Sequence, residues 1–418
     1  MTATTGPPPR IVTLDIVRGV AVMGILAMNI VAFAMPFQAY INPLAYGLES
    51  GADLASWALS FVFIDGKMRG LFSFLFGASI LLVLDRAEAA GEPSAAAHFR
   101  RMAWLLVFGL AHFYLIWWGD ILSLYAPLGM LAWFFHDRSP RALIRWGAGL
   151  VLVQFLVFAL LTLSFFEASA AALAPGADAA TVGDWTAMKA EFAVPNAAEL
   201  ARTMALYTGS YAGIVGFRLS EELFEPLTTL IFFGCETLGY MLLGMSALKT
   251  GFLTGEWTDA RYRRVAAIGF AVTVPAYALL AWLLWRDGFS VAMLFALAMT
   301  VPILLRPVMV VAIAALVILV TRGGGALVDR VAAAGRAAFT NYLGTSLLMT
   351  SLFYGYGLGL YGTLDRAELW LVVIAAWALM LLWSKPWLDR YLYGPFEWVW
   401  RSLARGKLQP VRRRSAAA

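Results

Sequence analysis

Apolar stretches of membrane-crossing length recur along the whole of this chain, and no other feature constrains its fold as much. A bilayer core of roughly 30 Å takes about 20 helical residues to cross. Segments near that length run over 14–36, 54–85, 101–119, 121–136, 143–166, 223–248, 264–285, 290–320, 337–360 and 368–388. With 61% of its 418 residues apolar and 14% charged, the chain has the make-up of an integral membrane protein. In lipid a spanning backbone must satisfy its own hydrogen bonds, so each stretch is expected as a helix. The expected fold class is all-α: a polytopic integral membrane helix bundle of about 10 transmembrane helices, forming a single transmembrane domain over 1–418.

Two stretches carry interruptions. The second holds Asp65, Gly66, Lys67 and Arg69 in its middle, so it is expected to be broken or strongly tilted there. The eighth holds Pro302 and Pro307 around Arg306, which predicts a kink.

Basic residues between the spans set the orientation, because Lys and Arg are retained on the cytoplasmic side. One set of connections holds Arg10; Arg86, Arg100 and Arg101; Arg138, Arg141 and Arg145; Lys249, Arg261, Arg263 and Arg264; Arg322, Arg330 and Arg336; and a tail running from Arg390 to Arg414. The opposite set has Lys189, Arg202, Arg218, Arg286 and Arg366. The split alternates, so both termini are expected in the cytoplasm, with a short start at 1–13, five spans over 14–166, an extracytoplasmic loop at 167–222, five spans over 223–388 and an amphipathic cytoplasmic tail at 389–418. Positive-inside retention and contact with anionic lipid account for the net charge of +5, and no nucleic-acid partner is needed.

No small-residue cleavage site follows the first span, which is expected to stay as an anchor. A single cysteine, Cys235, excludes an internal disulfide, a Cys-based zinc site and an iron–sulfur cluster. Three histidines set well apart make a metal site unexpected. The 167–222 loop includes FRLSEELFEP, which reads as a cap with Glu221, Glu222 and Glu225 near the rim of a cavity, or as a solvated helix start capped by Ser220. The tail mixes Trp387, Trp398 and Trp400 with basic residues, as an interfacial helix does. Glycine runs such as GYGLGLYG allow close helix contact within a chain or between copies, which leaves a homo-oligomer open.

Polar residues inside a span are expensive in hydrocarbon and mark packing, a pathway or chemistry. At about 1.5 Å per residue, Asn29 lies about 22 Å up the first span and His112 about 17 Å up the third. Asp120 follows eight residues later, about 80° around a continuous helix. These three are the candidate catalytic residues: His112 as general base, Asp120 orienting it, Asn29 as hydrogen-bond donor. A second set lies lower, comprising Arg18, Lys67, Arg69 and Arg306. Four cations imply an anion. Either Asp15, Asp65 and Glu236 neutralise them in internal salt bridges, or they grip the phosphates of a cytoplasmic cofactor.

Five blocks resemble one family. LDIVRGVAVMGILAMN, FIDGKMRGLFSFLFGASILL, GLAHFYLIWWGDILSLYAPLG, GRAAFTNYLGTSLL with FYGYGLGLYG, and WLDRYLYGPFEWVWRSL are similar, in this order and nearly end to end, to the bacterial YeiB-like family, domain of unknown function 418. That family is grouped with the transmembrane acyltransferases, so the resemblance implies a protein of the bacterial cytoplasmic (inner) membrane. The implied activity moves an acyl group from cytoplasmic acyl-CoA, acetyl-CoA or longer, to an extracytoplasmic acceptor such as a sugar or glycolipid. Asp15, Arg18 and Asn29 match the opening motif of the first span. Active relatives place a histidine near the end of that span or just after it; residues 30 to 53 here contain none, so His112 would have to take its place from the third span, or this branch does something else. The alternative from another class is a transporter or flippase that carries an anionic solute or lipid-linked substrate and makes no bond.

Overall fold

A computed structural model describes residues 11–412, so Arg10, Arg413 and Arg414 of the basic set lie outside the described residues. Among the described residues every regular element is helical, and the one extended contact is an isolated bridge between Tyr391 and Arg412. Among the described residues seven helical segments are long and apolar enough to cross a membrane: Val12–Ala34, Gly51–Ala89, Pro140–Ala172, Glu225–Lys249, Asp259–Asp287, Val291–Thr321 and Leu369–Arg390. Leu122–Phe135 is apolar but shorter. The remaining stretches expected as spans, 101–119 and 337–360, are occupied by the helices Ser94–Leu115 and Ala338–Phe353.

In chain order the helices are α1 (Val12–Ala34), α2 (Gly51–Phe63), α3 (Lys67–Ala89), α4 (Ser94–Leu115), α5 (Leu122–Ala132), α6 (Pro140–Ala172), α7 (Ala179–Lys189), α8 (Ala197–Tyr207), α9 (Tyr211–Ser220), α10 (Glu225–Lys249), α11 (Asp259–Asp287), α12 (Pro302–Thr321), α13 (Ala326–Arg336), α14 (Ala338–Phe353), α15 (Leu369–Arg390) and α16 (Pro395–Arg405). Two of them broaden the bundle with faces that have no protein cover. Leu160 and Leu163 on α6, and Leu371 and Leu382 on α15, are each more than half exposed, which in an apolar helix is a lipid-facing surface.

The first interruption is a real break, and the second distorts a helical run that continues through it. The second stretch divides at Ile64–Gly66, where Gly66 adopts φ +66°, a left-handed conformation open to glycine at little steric cost. In the eighth, the turn Phe295–Thr300 widens to a π-helix immediately before Pro302, whose missing N–H cannot continue the regular ladder. Ser220 caps nothing: its hydroxyl donates back to the Phe217 carbonyl, and α10 begins after Phe224 without a side-chain cap.

Call the end where α1 starts the near end and the end where it stops the far end. The near end is closed by the tail: the Trp400 indole donates to the Arg101 carbonyl at 3.0 Å. There the carboxylate of Glu397 caps the start of α14, accepting from the backbone N–H groups of Phe339 (2.7 Å) and Thr340 (3.0 Å) and from the Thr340 hydroxyl. α13, which the sequence placed in a connection, is an amphipathic helix lying against α1. The far end is roofed by α7–α9 and the 354–368 segment, joined through Gly355 N–H to the Tyr207 carbonyl and Gly362 N–H to the Ala34 carbonyl, both at 2.8 Å.

In the middle, α3 and α10 touch backbone to backbone. A Cβ at Gly244 would lie 1.7 Å from the Phe74 carbonyl oxygen, so only glycine permits this approach. Gly244→Ala is expected to lower stability by about 1–3 kcal/mol, as overpacking does. Gly149→Ala, at an α6 position with nothing within 4 Å, should leave it unchanged or raise it by up to about 1 kcal/mol. Thermal unfolding in detergent measures both, and equal behaviour of the two variants would contradict the assigned contact.

Candidate active site

The sequence WWGD ends α4 and folds the chain back on itself. Ile116 and Trp117 both donate their backbone N–H to the His112 carbonyl, at 2.9 and 2.8 Å, so the helix stops at Leu115 and a turn follows. Gly119 is held in that turn because any Cβ there would meet the Trp117 ring at 2.2 Å. Asp120 therefore does not ride on the same helix as His112. It returns from the turn and accepts from His112 Nδ1 at 2.8 Å, with both side chains fully buried. Its second oxygen accepts from Ser123 N–H at 2.6 Å, at the start of α5. Gly109 permits this junction, since a Cβ on it would lie 2.3 Å from the Ser123 nitrogen.

A carboxylate on Nδ1 fixes the imidazole with its proton on that nitrogen and leaves the Nε2 lone pair pointing elsewhere. His112 Nε2 is buried and has no hydrogen-bond partner among the described residues. Two rings pack against the imidazole, Tyr342 with its centroid at 5.2 Å and Trp117 at 6.3 Å. Tyr342 also steadies the turn: its hydroxyl accepts from Ile121 N–H at 3.1 Å and donates toward the Gly119 carbonyl at 3.4 Å. Trp117 stacks on Phe33 of α1 at 3.8 Å, and its indole N–H is buried without a partner among the described residues.

Trp117 and Tyr342 form one wall of a cavity whose other walls are Val22, Ile25 and Asn29 of α1 and Ser346 of α14. Its volume is about 10 Å³, room for about one water molecule. Of the expected trio, His112 and Asp120 are thus joined directly. Asn29 lies across the same two rings from them, with no hydrogen bond to His112 among the described residues. Trp117 and Tyr342 were not singled out from sequence. Trp117 had a local signal, standing three residues before Asp120. Tyr342 had none, being 221 residues from the turn it clamps.

The four cations divide into three settings. Arg18 donates to Asp15 at 3.3 Å and to the Ser79 hydroxyl at 2.7 Å. It stands on the α1 stripe that continues through Val22 and Ile25 to Asn29, since positions 18, 22, 25 and 29 share one helical face. Arg69 and Arg306 instead converge on Glu236, one on each carboxylate oxygen at 2.7 Å. Arg69 also donates to the Thr237 hydroxyl at 3.1 Å. Lys67 is nearby but separate: its ammonium donates to the Phe61 carbonyl at 2.5 Å and lies 3.4 Å over the Tyr277 ring. Met68 packs against Gly24, which sets this group at mid-height on α1, about 8 Å below Asn29. Internal pairing thus accounts for Arg69 and Arg306, and for one contact of Arg18.

Against known proteins, residues 247–407 match the model of a family described as proteins of unknown function, DUF418. The chain is 33% identical over 403 residues to the uncharacterised protein YeiB of Escherichia coli strain K12, covering 94% of this chain and 96% of that protein. This chain belongs to the YeiB-like family. A second YeiB-like relative, the uncharacterised protein YxaH of Bacillus subtilis strain 168, is 31% identical, with 97% of each chain covered. An uncharacterised 39.9 kDa protein from the amylase 3' region of Bacillus acidopullulyticus is 24% identical over 96% of each. No solved structure matches the chain.

Glu236 is the test of the mid-height network. Removing one partner of a buried ion pair leaves the others uncompensated, so Glu236→Ala is expected to destabilise by about 3–5 kcal/mol, read as loss of folded protein or a lowered Tm in detergent. A variant as stable as the parent would show that Arg69 and Arg306 do not depend on this carboxylate.

Proposed function

We propose that this protein is a membrane acyltransferase moving an acyl group from cytoplasmic acyl-CoA to an extracytoplasmic acceptor such as a sugar or glycolipid. The observation that carries the reading is the buried His112–Asp120 pair, with Nε2 uncommitted and the imidazole ring packed on Trp117 and Tyr342, two residues that line a cavity together with Asn29. Nε2 takes the proton from the acceptor hydroxyl or amine as that group attacks the thioester carbonyl. The Asn29 amide and the Trp117 indole N–H are the donors available to the oxyanion. Collapse of the tetrahedral intermediate breaks the carbon–sulfur bond, and the CoA thiolate takes the proton back from the imidazolium.

The topology that goes with this reading has ten crossings, both termini in the cytoplasm and the near end facing inward, in the bacterial inner membrane. It is supported by the basic connections, which gather at the near end, and by Val12 and Arg405 both lying there. Arg18 is then the cation at the depth where CoA phosphates would enter, and the stripe from Arg18 to Asn29, about 16 Å, is the path for the pantetheine arm. Lys67, Arg69 and Arg306 flank that path at mid-height rather than forming its mouth. The opening motif of α1, with Asp15, Arg18 and Asn29, resembles that of transmembrane acyltransferases and adds to the case.

One observation favours transport of an anionic or lipid-linked substrate instead: a span broken at Asp65–Gly66–Lys67 beside the Glu236 network is the kind of irregular, charged midplane site that transporters use. Titration of the purified protein with acetyl-CoA and longer acyl-CoAs separates the two. Transfer predicts binding that weakens in Arg18→Ala, and thioester consumption that falls about 10²–10⁴-fold in His112→Ala with donor affinity kept. Absence of binding to any acyl-CoA favours transport, and unchanged turnover in His112→Ala removes the histidine from the mechanism.

A further inference from the structure

The far-end roof contains a second group of uncommitted buried polar atoms, directly behind the end of α4. α9 docks on that helix end through Tyr211, whose hydroxyl donates to the Leu115 carbonyl at 2.9 Å. From the same helix Arg218 enters the protein until it is 1% exposed. Part of its role is to cover an orphan carbonyl at a helix C-terminus, but only one long contact does so, Nη1 to the Phe113 carbonyl at 3.4 Å. Nε and Nη2 are buried without partners among the described residues. So is the hydroxyl of Tyr354, which is 0% exposed and packs on Tyr207 with ring centroids 5.0 Å apart. Tyr356 joins the two elements, its ring centroid 5.4 Å from Tyr211 of α9 and 5.9 Å from Tyr354.

Glu222 is a carboxylate within electrostatic reach, and it makes no hydrogen bond or salt bridge with the guanidinium among the described residues. Burial, reinforced by Glu225, pushes its carboxyl up to about 7 against the pull of Arg218, and one of its oxygens is itself buried without a partner among the described residues. A buried guanidinium with two uncommitted nitrogens is an unpaired charge, and its planar fork matches an oxyanion. With the Tyr354 hydroxyl there are three uncommitted donors, which suits the several oxygens of a phosphate better than the two of a carboxylate.

We propose that Arg218 and Tyr354 form a phosphate-binding site and that the group bound there is carried by the molecule His112 acts on, an acceptor bearing a phosphate. The second half rests on the acyl-transfer reading, because it uses the position of Arg218 against the residue next to His112; the anion site itself does not. The phosphate comes either as a soluble group or as the headgroup of a phospholipid or lipid-linked saccharide, and both present the same chemistry to Arg218.

Thermal unfolding of the full-length protein tests this, first in detergent with inorganic phosphate against sodium chloride at equal ionic strength, then in nanodiscs of phosphatidylglycerol against a phosphate-free galactolipid. Phosphate or phosphatidylglycerol should raise the Tm of the parent, and the arm that responds identifies the source. Arg218→Gln should weaken the apparent affinity by about tenfold or more. Tyr354→Phe, which keeps the ring, should weaken it by a smaller factor and guards against a folding defect in the first variant. His112→Ala should keep the response; a phosphate effect in a parent protein that consumes no thioester overturns only the acyl-transfer reading. No shift in either arm, or an equal shift in Arg218→Gln, overturns the phosphate site.

Discussion

A membrane bundle offers its buried polar groups little water, so most must find a partner in the protein, and the fold of this chain follows from where those partners are. Glu236 is the clearest case. Its two oxygens are held by Arg69 of α3 and Arg306 of α12, and this one carboxylate from α10 joins three helices at mid-height. Glu397 does the same at the near end, where it takes over backbone donors that α14 cannot satisfy itself. Asp120 does it at the far end, linking α4, the turn and α5.

Most exceptions to that rule gather at the far end, with His98 Nδ1 and Trp133 Nε1 standing apart at the near end. His112 Nε2, the Trp117 indole N–H, two nitrogens of Arg218 and the Tyr354 hydroxyl are buried at the far end without partners among the described residues. Unsatisfied buried groups cost free energy and are sparse in native structures, so a concentration of them is a place prepared for something else to bind. At His112 the preparation is specific. The carboxylate that orients the ring is itself pinned by a backbone N–H, so the free nitrogen is held by connections made on the other side of the imidazole.

Much of the fold was legible in the sequence because apolar length and local breakers are one-dimensional signals. Asp65 and Gly66 marked a true break, and Pro302 followed a distorted turn. α13 was missed, since eleven residues of alternating charge and alanine read as a connection until α1 is there to cover them. The pairing of His112 with Asp120 was anticipated, but through a continuous helix, whereas the contact is made by a turn that helical arithmetic does not describe. Which carboxylate would neutralise Arg69 and Arg306 could be narrowed to three candidates and no further, because Glu236 is 167 and 70 residues away from them. Tyr342 and Arg218 lay beyond reach for the same reason: their roles depend on chain segments brought together only in the folded bundle.

The central claim is that Asp120 fixes His112 as a base with its reactive nitrogen free, and an isosteric change at Asp120 tests it most directly. In Asp120→Asn the amide oxygen can still accept from Ser123, while the orienting charge on Nδ1 is lost and the opposite imidazole tautomer is favoured. Thioester consumption by the purified variant, with envelope extract supplied as acceptor, should fall by about 10³–10⁴-fold while Tm stays near that of the parent. Turnover equal to the parent in a folded Asp120→Asn protein would contradict the account.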